Sequence, residues 1–138
     1  MKYMLLMNNM TTGDVYAGVS GWREEDIQAH IAFMKEITAG LRASGELVST
    51  EGLELPKEAR IVRAGTNGEP VTDGVFPESK EFLAGYWIVD VSGAERAYQI
   101  AAKASAAPGP NGTTLSMPIE VRGIMSAPPD GHVPSTRK

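Results

Sequence analysis

The chain has 138 residues, 42% of them hydrophobic and 22% charged, enough for one domain with a buried core and too apolar for a disordered chain. Its formal net charge of −4 argues against a nucleic-acid binder, which needs a basic surface to displace counterions from phosphates. With no cysteine and two histidines, disulfides, thiolate nucleophiles and the usual zinc sites drop out, leaving hydroxyls, carboxylates, amines and imidazole to carry chemistry.

Residues 3–7 are apolar and end at Asn8 and Asn9, which predicts a buried first strand rather than a leader peptide. Gly13, Asp14, Gly18, Ser20 and Gly21 predict a loop, with Ser20 as the cap of a long helix. Glu24, Glu25 and Asp26 lie in its first turn, where the helix dipole favours acids. Ile27, Ile31, Met34, Ile37 (or Thr38) and Leu41 recur at helical spacing, and Gly45 ends the helix. The period then changes. Strands are expected at 47–53 and 59–64, the latter turning at Asn67-Gly68 into an arm at 70–72. A loop with a helical turn at 79–83 leads to an aromatic and β-branched strand at 85–91. Ser92 and Glu95 have capping-box spacing and open an alanine-rich helix over 94–106, which Pro108-Gly109-Pro110 stops. A last strand is expected over 115–124. Three prolines mark the tail, which includes His132.

This order predicts an α+β fold, a ferredoxin-like antiparallel sheet with two helices on one face. The other face needs a cover, and Met4, Leu6, Trp87 and Val89 are its candidate residues. A homodimer packing two such sheets together closes it. No apolar run approaches the roughly 20 residues of a spanning helix, so a cytoplasmic protein without membrane or direct nucleic-acid contacts is expected.

Several runs are familiar. The opening Met1-Lys2-Tyr3-Met4-Leu5-Leu6-Met7 resembles the first strand of the YCII-related superfamily, in its DGPF branch. Thr72-Asp73-Gly74-Val75-Phe76, then Glu78-Ser79-Lys80-Glu81 and Gly85-Tyr86-Trp87, resemble that branch's signature, and Ile119-Glu120-Val121-Arg122 its closing strand. The resemblance covers residues 1–125 as one domain and leaves 126–138 as a proline-rich tail. Val75 stands where the family usually has proline, which loosens the turn, and Gly123 stands where a proline often follows the arginine. The resemblance implies a dimeric α/β-barrel of ferredoxin-like subunits. It implies a His–Asp pair for acid–base chemistry, as proposed for some proteins of the wider superfamily, which also includes at least one linked to dehalogenation of an aromatic compound. It also implies a setting near extracytoplasmic-function sigma factors, beside which DGPF-type proteins are often encoded.

The candidate site follows from both readings. His30 sits on or beside the apolar face of the first helix, where an imidazole titrating near neutrality serves as acid or base; the alternative is a core-edge histidine bonded to a backbone carbonyl. Asp73 precedes Gly74 at a strand end and either orients the imidazole or forms its own turn. Lys80 and Arg122 are candidates to grip an anionic substrate, with surface ion pairs as the alternative. Phe76 and Trp87 either line an apolar pocket or belong to the core. No metal or cofactor is called for. Two functions fit these residues: cofactor-free acid–base chemistry on a small molecule, or a non-catalytic ligand-binding or regulatory accessory module.

Overall fold

The computed structural model describes residues 1–10, 21–54, 59–75 and 81–126, with the backbone alone at 9–10, 73–75 and 81. In chain order the elements are β1 (Lys2–Met10), α1 (Glu24–Ser44), β2 (Leu47–Gly52), β3 (Arg60–Ala64), β4 (Pro70–Val75), β5 (Glu81–Asp90), α2 (Ala94–Ser105) and β6 (Ile119–Gly123). Four strands form one antiparallel sheet in the order β2-β5-β1-β6, and β3 and β4 pair separately as a hairpin. With that hairpin set aside, the order is that of a ferredoxin-like α+β fold.

Both helices cover one face of the sheet. The core between them joins Leu5, Trp87 and Val89 of the sheet to Ile37 and Leu41 of α1 and Ala97, Ile100, Ala101 and Ala104 of α2. The small alanines let α2 lie close to β1 and β6. Leu5 and Val89 are fully enclosed, and burying such side chains drives folding by about 1.5–3 kcal/mol each.

Register decides which face each strand residue takes. Leu5 lies opposite Trp87 and Tyr3 opposite Val89, whereas Met4 lies opposite Ile88 and Leu6 opposite Tyr86. The helix-free face therefore carries Met4, Leu6, Tyr86 and Ile88, all half-buried. This corrects the expected set, because Trp87 and Val89 face the helices.

The termini of the elements also depart from expectation. The Ser20 cap lies outside the described residues. The residue before α1 is Arg23, in extended conformation and without a side-chain cap, while Glu24, Glu25 and Asp26 do occupy the first turn. The helix closes at Gly45, whose φ of +81° is open to glycine at little cost. Ser92 and Glu95 make no capping box: Gly93 precedes α2 and no side chain caps it. Nor is there a helical turn at the start of β5. Glu81, Phe82 and Leu83 are strand, because the long β1 reaches them with Met10, Asn9 and Asn8. The final strand begins only at Ile119. Before it the chain folds on itself, with Pro108 bridged to Thr114 and a short 3-10 turn at Pro110–Gly112.

Candidate functional site

His30 lies in the second turn of α1, half-buried. Its Nδ1 is 3.0 Å from the carbonyl oxygen of Pro108. A carbonyl only accepts, so Nδ1 carries a proton, and in the neutral form of the ring the lone pair falls to Nε2. Among the described residues Nε2 has no hydrogen-bond partner. The Trp22 ring meets the imidazole edge to face, with centroids 5.7 Å apart and planes at 86°.

The helix spacing then builds a surface around this nitrogen. His30, Met34, Thr38 and Arg42 recur every fourth residue, with Ile31 and Lys35 beside them, and together they line an open groove of about 470 Å³. Ile31 was expected in the core but is 40% exposed, so the apolar face of α1 continues onto this groove instead of ending at the sheet. The groove is apolar along Ile31 and Met34 and carries two cations, Lys35 and Arg42. At its inner wall the Thr38 hydroxyl accepts a hydrogen bond from the Trp87 indole at 3.4 Å.

One turn before His30, Asp26 is buried at 7% exposure. Its carboxylate accepts from Arg23 Nε at 3.2 Å and Nη2 at 3.4 Å, and from the Asn111 backbone N–H at 3.1 Å. The Arg23 guanidinium, aided by the Asn111 N–H, holds this carboxyl below the ordinary aspartate range.

The other expected residues are dispersed or out of view. Phe76 and Lys80 lie outside the described residues, as does the side chain of Asp73, whose backbone belongs to β4. Trp87 is sealed in the core at 3% exposure. Arg122 is exposed on the helix-free face opposite Met4, 3.7 Å from Glu120, which in turn accepts from Asn8 Nδ2 at 3.2 Å. Arg122 and His30 therefore lie on opposite sides of the sheet.

Lys35 and Arg42 of the groove, and the Pro108 carbonyl that anchors His30, are features that residue types alone do not reveal. The spacing of 30, 34, 38 and 42 was the available signal for the helix row. Among the described residues no three His, Asp or Glu side chains gather to hold a metal ion, and no helix is long and apolar enough to cross a membrane.

A family model of the YCII-related domain matches residues 1–119. No curated protein matches the chain.

Proposed function

The chain belongs to the YCII-related family, and we propose that it is a cytoplasmic homodimer that binds a small anion with an apolar body in the α1 groove. His30 then moves a proton on that ligand, without a cofactor. The observation that carries this reading is the anchored imidazole: Pro108 occupies Nδ1, and among the described residues nothing bonds Nε2. Ile31 and Met34 suit an apolar body, and Lys35 and Arg42 suit a carboxylate.

In this reading Asp73 is the paired carboxylate of the DGPF-type signature. Tautomer control already belongs to the Pro108 carbonyl, so Asp73 contributes charge, stabilising the imidazolium once His30 has taken a proton. The homodimer is supported by the helix-free face, where Met4, Leu6, Tyr86 and Ile88 form an apolar patch that a second copy covers.

A second reading has its own support. The groove is shallow and open to water, which suits a binding or regulatory accessory module better than a water-excluding reaction centre. One experiment separates the two. Small aromatic and aliphatic carboxylates are titrated into the labelled protein in D2O, following backbone amide shifts and deuterium uptake at the ligand's acidic carbon. Binding predicts shifts along residues 30–42 that Lys35→Ala and Arg42→Ala abolish. Deuterium uptake that His30→Gln removes supports acid–base chemistry, and binding without uptake supports the module. Absence of any shift in the groove overturns both.

A further inference from the structure

We infer that Asp26 is the positioning residue of His30, acting through the 108–111 loop rather than by contact. The two side chains leave α1 one turn apart and hold the same loop at two points. Asp26 Oδ2 accepts the Asn111 N–H at 3.1 Å, and His30 Nδ1 donates to the Pro108 carbonyl at 3.0 Å.

The loop between those points is stiff enough to transmit position. Gly109 N–H donates to Thr113 O at 2.6 Å, Gly112 N–H to Gly109 O at 3.0 Å, and Thr113 N–H to Pro110 O at 3.1 Å. At its base Leu115 N–H donates to Ala107 O at 2.9 Å. Two prolines fix φ on either side of Gly109. Asn111 has a φ of +59°, a left-handed conformation that asparagine tolerates better than most residues. That conformation costs free energy and persists only where the surroundings hold it. The carboxylate of Asp26, itself buried and braced by Arg23, is the group that receives the N–H so directed.

The chain of cause runs from Asp26 to the Asn111 amide, through the loop to the Pro108 carbonyl, and so to the proton on Nδ1. A neutral imidazole has one proton to place, and a fixed acceptor keeps it on the nearer nitrogen. Without the Asp26 tether the carbonyl loses its fixed place, the proton divides between the two nitrogens, and Nε2 is no longer a dedicated base. The significance of this for ligand chemistry rests on the reading of His30 given above, but the tautomer itself is measurable with no ligand present.

The test reads the ring nitrogens of the full-length protein by long-range proton–nitrogen correlation at a pH where imidazole is neutral. His30→Gln identifies the signals and separates them from those of His132. The wild type is expected to show a protonated Nδ1 and an unprotonated Nε2. Asp26→Ala is expected to make the two nitrogen shifts converge as tautomers mix. Where circular dichroism shows Asp26→Ala to be unfolded, Asp26→Ser takes its place, since its hydroxyl is too short to reach Asn111. A folded variant at position 26 that keeps the wild-type tautomer overturns the proposal, as does a wild type protonated at Nε2. Tautomer loss in a protein that binds no carboxylate upholds the positioning role and refutes the ligand reading alone.

Discussion

Acid should unfasten the joint between the two helices at one residue, Glu46. It follows α1, and its carboxylate accepts from Arg96 of α2 twice, Nε and Nη2 each at 2.8 Å, and from the Ser44 hydroxyl at 2.8 Å. These bonds, Arg96 first, pull its pKa from 4.5 to about 2. A carboxyl depressed in the folded state stabilises the protein above its unfolded pKa and loses that contribution as pH falls toward the folded value. At about 1.4 kcal/mol per pH unit the drop sets a ceiling of about 3 kcal/mol. The Arg96 side chain is 40% exposed, so solvent screening reduces the expected contribution to about 1 kcal/mol. Urea denaturation of wild type and Glu46→Gln should therefore differ by about 1 kcal/mol at pH 7, and that gap should shrink by roughly half or more by pH 3. A gap that stays constant from pH 7 to pH 3 would refute the ion-pair account and leave only a packing effect.

Three further outcomes follow from packing. Leu5→Ala removes a fully enclosed side chain at the centre of the core and should cost about 3–4 kcal/mol in urea unfolding. A loss below about 1 kcal/mol would contradict that placement. Gly85→Val puts a Cβ 2.9 Å from the Glu51 carbonyl oxygen, so β2 must shift, at about 1–3 kcal/mol. Faster amide exchange confined to β2 and its partner would register it, and unchanged exchange would contradict the close approach. Ile88→Glu places a charge in the middle of the helix-free apolar patch. In sedimentation it should halve the mass of the proposed homodimer while the circular dichroism spectrum stays unchanged, and an intact dimer would remove that face from the interface.

Much of the fold is legible because it is local. The α1 face from Ile37 to Leu41, the stop at Gly45, the Asn67-Gly68 turn and the aromatic run of β5 each announce themselves within a few residues. What is not legible depends on distant pairing. Whether Trp87 or Ile88 faces the helices is decided by its register against β1, more than eighty positions away. The length of β5 is likewise set by the length of β1. At the site, the imidazole is visible in the sequence but its partner is not. The Pro108 oxygen is a backbone atom 78 residues away, and any residue type supplies one. Asp26 reads from sequence as an ordinary first-turn acid, and its reach to Asn111 appears only once the loop is folded against the helix.

The place of β1 in the sheet has a consequence for synthesis. It is made before β5 and β6, yet it is an inner strand, flanked by both. Leu5 waits for Trp87 on one side and Val121 on the other. Until β5 and β6 are made the nascent chain thus carries an apolar strand with two open edges, the form most prone to pair with a neighbouring chain. A stalled or shortened product that ends before β6 keeps one of those edges open. Such products should be preferred clients of ribosome-bound chaperones, and released without them they should aggregate through residues 2–7.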